Sequence, residues 1–114
     1  MVDSTGLCLF TTGTWGYEDF AKMVNADLPG EWDEERLRQT GERIWNMEKL
    51  FNLEAGLTMA DDTLPPRILS EPVPDGFNKG GVCELDVMLP QYYAARGWSE
   101  TGIPSKEKLG SLGI

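Results

Sequence analysis

The first half of the chain carries apolar side chains at helical spacing in two stretches. The first stretch predicts one amphipathic helix, because its apolar residues follow an i, i+3, i+4, i+7 pattern: Tyr17, Phe20, Ala21 and Val24. We expect Thr14 to cap this helix and the sequence from Asp27 to Gly30 to end it.

The second stretch gives the strongest helical pattern. Asp33 is a natural N-cap, acidic residues follow it in the first turn, and Gly56 fits the C-terminal stop. One stripe of this helix is predicted to be core, together with Trp45 and Leu50 beside it: Leu37, Thr40, Gly41, Ile44, Met47 and Phe51. Gly41 predicts close approach of another element, and Lys49 and Glu48 are expected to be solvated.

The region 57–81 differs in composition from its surroundings. It contains four prolines, which forbid long regular structure. We therefore predict an extended Pro/Gly-rich loop over 57–81, with at most one short turn at Arg67–Leu69. Asp61 and Asp62 within it are expected to serve as turn and cap residues.

Two further helices are predicted near the end of the chain. One is capped by Asp86 and stops at Gly97, after which Trp98 packs back; the other begins at Ser105 and ends near Leu112. The predicted fold is therefore mainly α, with three to four helices and one long loop in a single domain over 1–114.

Charge and hydropathy exclude several classes of function. The net charge is −9 and there is no histidine, which argues against a nucleic-acid surface and against binding to anionic membranes. No apolar run approaches the ~20 residues of a membrane-spanning helix, and no signal-peptide pattern opens the sequence. A cytoplasmic protein is expected.

The first eight residues contain the most distinctive chemistry. Asp3 can accept two parallel hydrogen bonds from a planar N–H/NH2 edge, such as that of a pterin ring. Gly6 allows a sharp turn or close approach to a ligand, and a Cys8 thiolate suits an iron–sulfur cluster. The spacing D-x-x-G-x-C is loose, so an N-terminal turn with a half-buried cysteine is the open alternative.

The chain does not contain a complete catalytic or metal site in its own residues. Cys8 and Cys83 are the two cysteines, and without histidine they cannot close a four-ligand zinc or iron–sulfur site. We expect Cys83 to be an apolar filler, because Glu84 beside it disfavours the thiolate.

A resemblance to a known family covers nearly the whole chain. The segment Asp3–Cys8 resembles the second D-x-x-G-L-[CD] motif of the tungsten-containing aldehyde ferredoxin oxidoreductases, and further segments similar to that family follow in the family's order: Gly41–Asn52, Asp61–Pro65, Pro72–Gly76, Lys79–Gly80, Glu84–Asp86, Tyr92–Tyr93, Arg96–Trp98 and Gly102–Leu109. Since members of the family are several times longer, the chain resembles a C-terminal segment of such an enzyme.

The resemblance implies a redox role. Family members oxidise aldehydes to carboxylic acids with tungsten, or sometimes molybdenum, held by two pterins, and they pass electrons through a [4Fe-4S] cluster to ferredoxin. By match, Cys8 would be one cluster ligand and Asp3 would hold a pterin, while Gly6 and Leu7 let the backbone approach it. The upstream domains of the same enzyme and ferredoxin are the implied partners, and the isolated chain is expected to be inactive.

Three alternatives stay open at this point. The first is a free-standing acidic interaction module, or a gene remnant, that has the fold but no redox role. The second concerns the substrate, because relatives that act on aromatic thioesters share the resemblance. The third is the choice between tungsten and molybdenum.

Overall fold

A computed structural model describes residues 1–114 and confirms the prediction of a mainly α-helical protein. It contains no β-strand, although Trp98 and Pro104 form an isolated antiparallel bridge. None of the helices combines the length and the hydropathy that a membrane-spanning segment needs. The five α-helices are α1 (Tyr17–Asp27), α2 (Glu34–Glu54), α3 (Pro66–Ser70), α4 (Leu85–Arg96) and α5 (Lys106–Leu112), and short 3-10 helices span Val2–Thr5, Leu9–Gly13 and Met59–Asp61.

The start of α1 differs from the prediction. Gly16 is the N-cap residue, and its N–H donates to the carboxylate of Asp19 at 3.0 Å. The predicted cap, Thr14, is wrong, because its hydroxyl donates to the Thr11 carbonyl of the preceding 3-10 helix. For α2 the prediction is confirmed, since the Arg36 N–H donates to Asp33 Oδ1 at 2.8 Å.

The ends of α4 show one difference and one agreement. The N-cap is Glu84 rather than Asp86, so α4 begins earlier than predicted and Pro90 is its sixth residue. Gly97 ends the helix with φ +69°: its N–H donates to Ala94 and the Trp98 N–H donates to Tyr93, the two bonds of a Schellman motif. Ser105 caps α5 as predicted, accepting a hydrogen bond from the Lys108 N–H at 3.1 Å.

The chain divides into two compact units. The first comprises Met1–Glu48 with Leu112–Ile114. Its core is formed by α1 and the first part of α2, and its buried side chains are Phe20, Ala21, Val24 and Leu37. A Cβ placed on Gly41 would lie 3.2 Å from Met1 Cβ, which confirms the predicted close approach at this glycine.

The second unit comprises Lys49–Ser111 and is built around an aromatic and ionic cluster. Tyr93 and Trp98 are buried, with ring centroids 6.0 Å apart, and the Lys49 ammonium lies 5.4 Å from the Trp98 ring centroid. The expectation that Lys49 is solvated is therefore wrong. Its charge is paired in a buried setting, as a buried lysine requires.

The predicted core stripe of α2 is confirmed in its first part, where Leu37 is buried and Thr40, Gly41 and Ile44 are half-buried, but it is wrong further along. Trp45, Met47 and Phe51 are 45, 56 and 73% exposed, whereas Asn46 is fully buried. The buried residue Leu37 lies near the start of α2, and Asn46 lies nine residues further along. Nine residues make two and a half turns of a helix with 3.6 residues per turn, so Leu37 and Asn46 lie on opposite faces of α2. Different faces of α2 are therefore buried along its length, and a single periodic stripe cannot describe it.

Candidate functional site

The motif from Asp3 to Cys8 forms a short turn whose polar ends face solvent. Asp3 lies in the 3-10 helix Val2–Thr5, and this helix ends at Gly6 with φ +75°. The Gly6 N–H donates to the Asp3 carbonyl at 3.2 Å. This left-handed conformation favours glycine, and a Cβ at position 6 would meet no atom within 4 Å. The Asp3 side chain is exposed and in this structure is available to a ligand.

Leu7 anchors the motif, and Cys8 follows it on the outside. Leu7 is half-buried against the core of the first unit, and its N–H donates to Thr5 Oγ1 at 3.2 Å. Cys8 is a free, exposed thiol whose carbonyl accepts hydrogen bonds from the Thr11 N–H and the Thr11 hydroxyl. The turn is therefore fixed by one apolar contact and local hydrogen bonds, while its carboxylate and thiol stay accessible.

A cavity lies beside this motif. It has a volume of about 460 Å³, and its mostly apolar lining includes Leu7, Met23, Trp32 and Ile44, together with the hydroxyl residues Ser4 and Thr5. The indole N–H of Trp32 is buried without a hydrogen-bond partner. No sequence pattern indicated this cavity, because its lining comes from residues distributed between Met1 and Ile44.

The chain brings no three of its cysteine, aspartate and glutamate side chains together in a group that could hold a metal ion. Cys83 is a free thiol, half-buried in the second unit, and its Sγ lies 3.9 Å from Met88 Sδ. Its neighbour is thus a thioether, which fits the predicted role as a filler.

A second polar cluster, in the second unit, was not expected from the sequence. Asp62 Oδ2 accepts hydrogen bonds from Lys49 Nζ at 2.6 Å and from the Tyr93 hydroxyl at 2.5 Å. Burial acts to raise the pKa of Asp62, but the hydrogen bonds from Lys49 and Tyr93 and the charge of Lys49 outweigh it and lower that pKa. The pKa of the Tyr93 hydroxyl is raised mainly by burial and, to a smaller extent, by its hydrogen bond to Asp62.

This cluster links three separate parts of the second unit. Lys49 comes from α2, Asp62 follows the 3-10 helix Met59–Asp61, and Tyr93 comes from α4. Asp61 caps its own turn by accepting from the Thr58 N–H at 2.7 Å, as predicted. Asp62 was predicted to have a similar local role, but its carboxylate binds Lys49 and Tyr93 from two other elements. The cluster is closed by protein partners, and its geometry indicates a structural role rather than an acid–base pair.

The family of the chain follows from comparison with known proteins. The model of the family described as aldehyde ferredoxin oxidoreductase, domains 2 and 3, matches residues 1–114. The chain therefore belongs to the aldehyde ferredoxin oxidoreductase family, and the resemblance noted in the sequence is confirmed.

The curated relatives agree with this assignment. The chain is 54% identical over 115 residues to the tungsten-containing aldehyde ferredoxin oxidoreductase of Pyrococcus furiosus and 52% identical to the protein of the same name from Thermococcus kodakarensis. It is 33% identical to the WOR-like subunit of an aliphatic sulfonate oxidoreductase of Pyrococcus furiosus. The first two matches cover 100% of this chain and 19% of each relative, so the chain spans about one fifth of their length.

The chain is also similar to a solved structure. It is the active-site complex BamBC of benzoyl coenzyme A reductase in complex with 1,5-dienoyl-CoA, with a TM-score of 0.67 and 28% identity. The match covers 87% of this chain and 14% of that chain. Most of this chain therefore has a counterpart of similar fold in that reductase complex.

Proposed function

We propose that this chain completes the cofactor site of a tungsten-containing aldehyde ferredoxin oxidoreductase that oxidises aldehydes to carboxylic acids. The observation that carries the proposal is the match of the entire chain, at about half identity, to enzymes of that name. The motif Asp3–Cys8 lies within this match and presents a carboxylate and a thiol on one exposed turn.

The residues of the motif suit the groups that such an enzyme would bind. An exposed carboxylate can accept the paired N–H donors of a pterin edge, and an exposed thiol is a soft ligand for iron. The open space beside Gly6 would allow a planar ring to approach the backbone, because no side chain occupies it. Tungsten held by the pterins would supply the two-electron redox chemistry, and a [4Fe-4S] cluster would supply one-electron transfer.

Each residue of the turn would then have a separate task. Asp3 would bind and orient one pterin through its amino/amide edge, while Gly6 and Leu7 would let the backbone lie close to it. Cys8 would supply one thiolate to the iron–sulfur cluster, and the other three ligands would come from elsewhere in the enzyme. Because Leu7 packs into the core of the first unit, the turn would hold both groups in fixed positions.

The substrate and partners follow from the same proposal. An aldehyde is favoured over a sulfonate or a thioester, because identity falls from 54% to 33% and 28% in the relatives whose names carry those other substrates. The remaining domains of the enzyme would surround the turn, and ferredoxin would be the electron acceptor. On this proposal the isolated chain has no activity.

The two cysteines provide the test. In the full-length enzyme that carries this segment, Cys8→Ala should lose or degrade the [4Fe-4S] cluster, and Cys83→Ala is the matched control that should keep it. Electron paramagnetic resonance of the reduced proteins reports cluster integrity directly, and iron and sulfide analysis gives the stoichiometry. A normal cluster signal in Cys8→Ala, or a lost signal in Cys83→Ala, would overturn the assignment.

A further inference from the structure

The second unit leaves large apolar side chains exposed. Phe51, Val87 and Met88 are 73, 52 and 55% exposed, and Phe77 is fully exposed. When such side chains form a larger patch, they mark a site of interaction with another protein segment.

Part of this surface is a groove in the second unit, formed within 65–83. Its volume is about 1060 Å³. Three prolines and the apolar side chains of Ile68, Val73 and Val82 line it, and these three are 48, 40 and 43% exposed. Arg67 and Lys79 also line the groove, and Arg67 is paired with Glu71 at 3.0 Å. The groove thus offers apolar contacts together with the charge of Lys79.

The loop that forms one wall of the groove is held closed by its own backbone. The Val73 N–H donates to the Gly81 carbonyl at 3.0 Å, and the Gly80 N–H donates to the Val73 carbonyl at 2.8 Å. Gly76 and Gly80 have positive φ on either side of Phe77. Phe77 is fully exposed, so no part of the chain contacts its ring appreciably. A closed loop that presents an aromatic ring is typical of an interface anchor, because little conformational freedom remains to be lost on docking.

We propose that the Val73–Gly81 loop and its groove form an intramolecular docking surface, with Phe77 as the anchor. The occupant is an apolar segment flanked by a carboxylate, located in the part of the polypeptide outside this chain. The relatives are about five times longer than the chain, so the same polypeptide can supply the partner. The carboxylate would pair with Lys79. This inference goes beyond the redox role and does not depend on any cofactor.

The test compares the isolated chain with the full-length polypeptide that carries it. Hydroxyl-radical footprinting with mass spectrometry measures the oxidation rate of the Phe77 side chain in both. We expect the rate to fall about ten-fold in the full-length polypeptide, because a side chain in an interface core loses nearly all of its accessible surface. Footprinting of the isolated chain at increasing concentration separates this outcome from pairing of two copies.

A pair of variants gives an independent readout. Phe77→Ser should lower the Tm of the full-length polypeptide and leave that of the isolated chain unchanged, because the ring packs against nothing in the chain. Lys106→Ser, at an exposed charged position on α5, is the control and should change neither. An unchanged Phe77 oxidation rate, protection that grows with the concentration of the isolated chain, or a Phe77→Ser variant with wild-type Tm in the full-length polypeptide would overturn the proposal.

Discussion

Removing the carboxylate of Asp62 should destabilise the chain far more than removing any exposed carboxylate. The side chain of Lys49 is 10% exposed and that of Asp62 is 31% exposed, and their charged atoms lie 2.6 Å apart. Asp62→Ala leaves the Lys49 ammonium buried without its counter-ion and removes the acceptor of the Tyr93 hydroxyl. Breaking a buried pair from one side costs about 3–5 kcal/mol. Because Asp62 is partly hydrated, we expect Asp62→Ala to lower the free energy of unfolding by about 3 kcal/mol, the lower end of this range.

Two further variants distinguish a lost ion pair from other effects. Glu71→Ala removes one partner of the Arg67–Glu71 pair, whose side chains are 82 and 65% exposed, and should cost no more than about 0.5 kcal/mol. The double variant Lys49→Met with Asp62→Ala should recover much of the loss, because no unpaired charge then remains buried. The free energy of unfolding from urea titrations followed by circular dichroism gives each value. The reasoning fails if Asp62→Ala costs no more than Glu71→Ala.

Three other outcomes are expected. The pKa of Asp62 is lowered in the folded state, so its ionised carboxylate stabilises the fold above the unfolded pKa of about 3.9, and this stabilisation is lost as the pH falls below that value. Between about pH 5 and 3, the free energy of unfolding of Asp62→Ala should therefore fall less steeply than that of the wild type. Gly102→Ala should lower the free energy of unfolding by roughly 2–4 kcal/mol, because φ at this position is +75° and the new Cβ would lie 2.7 Å from Tyr93 Cζ. Thermal unfolding measures this loss, and a wild-type Tm would contradict it. The isolated chain should stay colourless after anaerobic reconstitution with iron and sulfide, because Cys8 alone cannot hold a cluster; stoichiometric iron and sulfide in a monomer would refute this.

Local patterns in the sequence predicted several features correctly, although the caps predicted at Thr14 and Asp86 are wrong. The caps at Asp33 and Ser105, the stop at Gly97 and the close approach at Gly41 each depend on one residue type with a special backbone or side-chain property, and all are observed. The turn at Asp3–Gly6 belongs to the same class, since it needs a glycine with positive φ.

Predictions that depended on distant contacts were less successful. Lys49 and Asp62 are 13 residues apart, and Asp62 and Tyr93 are 31 apart, so no local pattern marks them as partners. Phe51 has the periodicity of a core residue, but periodicity shows only that residues share a face, and Phe51 is 73% exposed. The cofactor roles of Asp3 and Cys8 remain predictions, because they depend on domains outside the chain.

The buried Lys49–Asp62 pair also affects how the second unit responds to heat. Transferring charged groups from water into a protein becomes less costly as temperature rises, because their hydration free energy weakens, while apolar burial gains little more per unit area. The buried hydrophobic side chains of the second unit are Tyr93 and Trp98, and each lies beside one member of this pair: Tyr93 donates to Asp62, and the Lys49 ammonium lies 5.4 Å from the Trp98 ring centroid. Its stability should therefore decline less steeply on heating than that of a unit of equal size held together by aliphatic packing alone.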